Sequence, residues 1–239
     1  MKQLILNCFL ILFSPFLALA NSGDSTKPEK AQLGVIVSPD YCYRSLKANA
    51  DGKWMADIRD TMEIPKVGYS LGVNMAYALS ERFTFEIEAL FSNKGENTKK
   101  YDLGNTPFPY VLSKSAIAYK KSYYYLDVPL KLNYAISKGK VKFYLTGGAS
   151  INTFLGQSTI ITTDASNGTE TSYIGKSQPK FQKINVAIIA GLGLNYALTD
   201  KYLIRVEPVY KRSINSIIDA PIKSYLYTVG INFGLACKF

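Results

Sequence analysis

The last stretch of the chain alternates without a break. From Tyr225 to Phe239 every second residue is apolar or aromatic (Tyr225, Tyr227, Val229, Ile231, Phe233, Leu235, Cys237, Phe239), while Leu226, Thr228, Gly230, Asn232, Gly234, Ala236 and Lys238 between them are mostly small or polar. Side chains alternate across a β-strand, so such a run has one greasy face and one small, wet face. Soluble strands usually run about 5–6 residues. A strand this long and this regular suits a membrane better than a soluble core. If it spans a bilayer it must belong to a closed barrel, because only helices and barrels satisfy every backbone group in lipid. No stretch after the first twenty residues reaches the roughly 18 apolar residues of a membrane helix.

The same period recurs seven more times. Val67–Leu79, Phe83–Ser92, Tyr124–Tyr134, Val141–Leu155, Ile184–Tyr196 and Tyr202–Tyr210 alternate clearly, and Leu33–Tyr43 does so less clearly because Pro39 interrupts it. Tight turns (80–82, 137–140, 199–201) alternate with long polar segments (45–65, 94–121, 156–182, 211–222), the build of an outer-membrane barrel with its turns in the periplasm. Within the third long segment, Ser158–Thr163 and Thr169–Ile174 flank Asn167-Gly168, a dipeptide suited to a tight hairpin turn. These features predict an all-β fold: an eight-stranded antiparallel transmembrane β-barrel of the outer-membrane type over residues 32–239. Residues 21–31 read as a flexible tail. Residues 1–20 read as a secretory signal: Lys2, an apolar run from Leu4, then Ala18-Leu19-Ala20 with small Ala18 and Ala20 at the cleavage positions. Cys8 would leave with that segment, and Cys42 and Cys237 fall on opposite faces and are not predicted to pair.

A soluble barrel would turn the greasy face inward around a ligand. Two features argue otherwise. The second face mixes glycines (Gly68, Gly72, Gly191, Gly193, Gly230, Gly234) with charges (Glu86, Glu88, Asp127, Lys131, Arg205, Glu207), a mixture that suits a narrow lumen where small residues make room for long ones. The other face brackets the short turns with rings: Tyr77 and Phe83, Tyr134 and Phe143, Tyr196 and Tyr202, with Phe239 at the same level. Aromatic rings prefer the headgroup zone, so these read as an interfacial girdle, mirrored by Tyr69, Phe91, Tyr124, Tyr210 and Tyr225 at the far ends.

The chain contains no histidine, which removes His-dependent nucleophile systems and His-ligated metals. Glu86 and Glu88 share a face and could suggest an acid pair. With Asp127, Lys131, Arg205 and Glu207 nearby they read instead as an ion-paired plug, since unpaired charges in a cramped interior are costly. No enzyme activity and no cofactor are expected. The net charge of +10 is spread along the chain, which argues against a nucleic-acid partner. Lys94, Lys99, Lys100, Lys114, Lys120, Lys121, Lys176, Lys180, Lys183, Lys211 and Arg212 gather in or beside the long loops. They suit either contact with lipopolysaccharide phosphates or a merely solvated rim.

Tyr125-Leu126-Asp127-Val128-Pro129-Leu130, Phe143–Ala149, Gly191–Tyr196 and Arg205-Val206-Glu207-Pro208 together resemble the PorT-like family of bacterial outer-membrane barrels. The resemblance implies an outer-membrane location and a terminal strand, ending in Phe239, read by the barrel-assembly machinery. Some members of that family serve protein secretion. The expectations that follow are a non-enzymatic barrel with a structural or surface-interaction role through its extracellular loops, or an accessory of a secretion system with envelope or secretion proteins as partners. A lipid-modifying outer-membrane enzyme ranks third.

Overall fold

The computed structural model describes residues 30–102, 116–165, 168–175 and 181–239. The predicted signal peptide with Ala18 and Ala20, most of the tail, Asn167, Lys114, Lys176 and Lys180 lie outside them. The elements run β1 (Ala31–Ala48), a 3-10 turn (Ala50–Gly52), α1 (Lys53–Met62), β2 (Glu63–Ala78), β3 (Phe83–Thr98), β4 (Tyr101–Asp102), β5 (Ala116–Ala135), β6 (Val141–Ala165), β7 (Gly168–Gly175), β8 (Ile184–Ala197), β9 (Tyr202–Ser213) and β10 (Ile222–Lys238). Eight of the strands form a closed antiparallel ring, β1-β2-β3-β5-β6-β8-β9-β10 and back to β1, while β4 and β7 add to the edges of β5 and β6. The seam runs from Ala48↔Ile222 to Gln32↔Lys238 and is finished by the Phe239 amide, which donates to the Ala31 carbonyl at 2.8 Å. Every barrel strand thus has two neighbours, which removes the exposed edge a lipid environment would not tolerate.

Pro39 does not end β1. Its register with β10 continues on both sides, Val37↔Phe233 and Asp40↔Gly230, and Pro39 faces outward opposite Tyr69 of β2. Proline removes one donor from the ladder, a loss that a strand paired on both sides absorbs. The first strand therefore extends well beyond Leu33–Tyr43.

Strand ends also differ from expectation on the loop side. The segments 45–65, 94–121, 156–182 and 211–222 are partly strand, because β3, β5 and β6 keep their pairing far beyond the membrane. β6 has 25 residues, or about 80 Å at roughly 3.3 Å per residue. Crossing a hydrocarbon core of about 30 Å at a tilt of about 40° needs about half of that. The remainder stands outside and pairs with β7 from Ser158↔Gly175 to Ala165↔Gly168, the predicted hairpin.

The short turns are held by hydroxyls. Ser80 Oγ accepts from the Phe83 amide, Ser137 Oγ from the Phe143 amide and Thr199 Oγ1 from the Tyr202 amide, a compact way to satisfy backbone donors in a reversal. Gly139, at φ +113°, supplies the left-handed residue of the second turn.

Outward faces are apolar and exposed (Val35, Val37, Val67, Leu71, Leu192, Phe233, Leu235), whereas inward faces are buried and polar. This inversion of the soluble pattern is the mark of a barrel dissolved in lipid. Phe83 and Tyr134 meet at the turn side with ring centroids 5.1 Å apart. On the loop side Phe91 stacks on Tyr124 at 6.0 Å and touches Tyr69. Tyr124 and Tyr134 lie on one strand at the two levels. Their separation along β5 is about 33 Å, or about 25 Å along the membrane normal, the height of the apolar band of outer-membrane barrels. Tyr77, Phe143, Tyr196, Tyr202 and Phe239 are exposed on the turn side.

Candidate functional site

Inward alternation brings ionisable side chains from β3, β5 and β9 to one level of the lumen. Lys131 Nζ lies 2.5 Å from Glu88, 2.8 Å from Glu207 and 3.7 Å from Glu86. Arg205 pairs with Glu86 and donates through Nε to Asn195. Asn74 and Asn133 donate to the two oxygens of Glu86; Thr146 and Asn232 donate to Glu207. Glu86 and Glu207 are completely buried. Glu86 and Glu207 thus hold both cations and four neutral donors, while Glu88 is held by Lys131 alone, and such pairing is how a low-dielectric interior tolerates ions. Glycine makes this possible beside Arg205: a Cβ on Gly193 would collide with the ring of Tyr144, whose face lies 5.5 Å from the Arg205 guanidinium.

Asp127 stands apart from this group. It sits one level toward the loops, where Lys94 Nζ approaches to 2.7 Å and Ser92 Oγ donates at 2.7 Å. Asp40, beside it, accepts from Ser38 and Ser70. Higher still, Lys66 donates to Asn93 and Ser122, both at 2.6 Å. Lys94 and Lys211, grouped above with the loop cations, are buried in the lumen: the strands continue past the membrane, so their alternation carries these two inward. Lys99, Lys100, Lys120, Lys183 and Arg212 are exposed. Lys121 is half-buried and bonded to acids.

Two features of the mouth escaped the sequence reading. The first is an apolar lid. Phe154 and Phe181 stack at 4.4 Å, Tyr123 packs on Phe181 at 5.2 Å, Tyr125 on Phe154 at 5.5 Å, and Ile217 and Leu226 complete the buried cluster. Phe181 and Ile218 form an isolated bridge that pins two loops together. The available signal was the Ile217-Ile218 pair inside a polar segment. The second is α1, whose inner side carries an ionic clasp. Glu63 accepts from Arg44, from Arg59 Nε at 3.0 Å and from Lys121 Nζ at 3.0 Å, and Arg44 also pairs with Asp60. Burial opposes ionisation of Glu63, but Lys121, Arg59 and Arg44 outweigh it and hold its carboxyl below the usual range. Among the described residues no group of acids, cysteines or histidines has the arrangement of a metal site. Cys42, in the lumen, and Cys237 are free thiols.

A closed, lipid-facing ring of eight strands with short turns on one side and long extensions on the other defines an outer-membrane β-barrel. The chain matches the outer membrane protein beta-barrel domain family over residues 26–219. It belongs to that family. Among solved structures it is similar to the outer membrane protein OprG from Pseudomonas aeruginosa, at 16% identity and a TM-score of 0.51, over 89% of this chain and 97% of that one. Neisserial surface protein A matches at 13% identity and a TM-score of 0.42 (87% and 97%), and the outer membrane enzyme PagL at 10% and 0.38 (83% and 97%). At such identities the likeness to OprG speaks for the fold alone, and the two lower scores carry no further argument. No curated protein matches the chain.

Proposed function

We propose that the protein is a non-enzymatic outer-membrane barrel with a structural or surface-interaction role, carried by its extracellular side. The observation that carries this reading is the lumen. Lys131 and Arg205, each almost fully buried, are held by Glu86, Glu88 and Glu207, so the interior is occupied by its own ion pairs and closed above by the Phe154–Phe181 lid. Eight strands leave an interior that side chains can fill. What the chain builds beyond the bilayer lies on the loop side: the β6–β7 hairpin, the upper halves of β3 and β5, and α1. The exposed Lys99, Lys100, Lys120, Lys183 and Arg212 are suited to the anionic phosphates of lipopolysaccharide. Export by cleavage after Ala20 and recognition of Phe239 by the barrel-assembly machinery belong to the same reading.

Two measurements test it. In planar bilayers the purified protein should give no open-pore steps; large, long-lived conductance would overturn the plug. Lipopolysaccharide binding to the barrel in vesicles should weaken with salt and on charge reversal of Lys99, Lys100 and Lys120, and insensitivity to both would reject the rim's role. The alternative is an accessory role in protein secretion, supported by the resemblance of Tyr125–Leu130 and Arg205–Pro208 to PorT-like barrels. It predicts that a deletion strain retains exported proteins in the periplasm.

A further inference from the structure

Beside the lid, α1, the upper ends of β5 and β6 and the segment 218–222 enclose a cavity of about 610 Å³ open to the outside. That volume lies within the range of small-molecule sites. Its walls are apolar, formed by Trp54, Met55, Ile218 and Pro221. Trp54 and Met55 are 61% and 41% exposed, on a helix that buries only Ala56 against the barrel. A surface helix normally buries its large apolar side chains, so this apolar wall lacks a cover. At the base stand two cations, Arg59 and Lys121, with side chains 26% and 29% exposed. Their acid partners Glu63 and Glu96 lie behind them, 5% and 2% exposed. The carboxylates therefore fix the cations from one side and leave donors directed at the cavity. Asp51 is the single acid on the lining.

From this arrangement we infer that the cavity binds an amphiphile with one apolar chain and an anionic headgroup, the chain against Trp54 and Met55 and the head on Arg59 and Lys121. The inference rests on the reading that the extracellular side carries the protein's role, and it names a ligand class for that side. An anion bridged by two fixed cations gains charge-assisted hydrogen bonds, while the chain covers apolar surface now left in water. A neutral chain of equal length gains only the second.

Trp54 is the only tryptophan in the chain, so its fluorescence reports the cavity directly. The full exported protein in phosphatidylcholine nanodiscs is titrated with dibromostearate, whose bromines quench a tryptophan in contact, and with dibromo-octadecanol. Saturable quenching by the carboxylate is expected, with half-saturation at least about tenfold lower than for the alcohol, about 1.4 kcal/mol. High salt or the double variant R59Q/K121Q should erase that tenfold preference. A220F, which fills the cavity and keeps both cations, should abolish saturable quenching. Unheated-gel mobility checks that each variant is folded, and the salt arm needs no variant. Nanodiscs containing dibromo-phosphatidylglycerol distinguish the source: quenching there that depends on Arg59 and Lys121 assigns the site to a membrane lipid. Non-saturating quenching, equal response to acid and alcohol, or persistence in A220F would overturn the site. Lipopolysaccharide binding through the exposed rim would survive that failure, so the two readings fall separately.

Discussion

Replacing Lys131 by methionine keeps most of the side-chain volume and removes one charge from the centre of the lumen. Its ammonium has carboxylates at 2.5, 2.8 and 3.7 Å. At an effective dielectric near 20, each such contact corresponds to about 4–7 kcal/mol of attraction. Desolvation of the ammonium offsets much of it. What the variant loses is the compensation of three buried carboxylates, left with Arg205 alone. Breaking a buried pair by removing one partner costs about 3–5 kcal/mol, about two to three and a half powers of ten in the folding equilibrium. Urea unfolding of the barrel in phospholipid vesicles, followed by gel mobility, reads the change. Lys138→Met is the control: the Lys138–Glu81 pair spans two periplasmic turns with both side chains largely exposed, and its loss should leave the midpoint unchanged. Adding Glu88→Gln to Lys131→Met should recover part of the deficit, since contacting residues couple by about 0.5–3 kcal/mol. A Lys131→Met midpoint indistinguishable from that of Lys138→Met would refute the argument that these ions are held by one another.

Gly193→Val should destabilise the barrel, because the new side chain enters the space of the Tyr144 ring; Tyr144→Ala in the same chain should restore most of the loss, read by the same unfolding assay. Phe181→Ala removes one half of a 4.4 Å stack and should cost up to about 3 kcal/mol, the lower end for a buried phenylalanine, while speeding hydrogen exchange of upper lumen amides. The ionic clasp on α1 is acid-sensitive. The folded Glu63 carboxyl titrates below its unfolded value, so its contribution is complete above the unfolded value of about 4.3 and is lost as pH falls through the folded one. Limited proteolysis at Lys53 and Arg59 should therefore accelerate in acid, and Glu63→Gln should show the fast rate already at neutral pH.

The barrel and its lipid-facing surface were legible because a period of two needs no partner to be seen. Glu86, Glu88, Lys131, Arg205 and Glu207 could be placed inside for the same reason. Which of them meet could not be read, since that depends on strand stagger around the ring, and Asp127 accordingly lies one level from its expected companions. The loop-side extensions were hidden by polarity: outside the bilayer both faces of a strand can be wet, so Lys94 and Lys211 looked like loop cations. α1 is short, ten residues, and its helical period of Trp54, Met55, Ile58 and Met62 lies within a segment whose polar residues read as a loop. The lid combines Phe154, Phe181 and Ile217 from three remote segments, a relation that local pattern does not contain.

The seam joins residues near opposite ends of the chain, Gln32 to Lys238, and this shapes how the molecule can be born. The acids of β3 and the cation of β5 meet Arg205 and Glu207 only when β9 has swung round to face them, and β9 is held there by β10 closing on β1. A nascent chain lacking its final strand would present an open, charge-lined trough with two raw edges, stable neither in lipid nor in water. Lys131–Glu88 and Lys94–Asp127 can form as soon as β3 and β5 pair, but Arg205–Glu86 and Lys131–Glu207 wait for the ring to close. That last step depends on contacts remote in sequence, which are slow to form. Only when the Phe239 amide reaches the Ala31 carbonyl is the last raw edge covered.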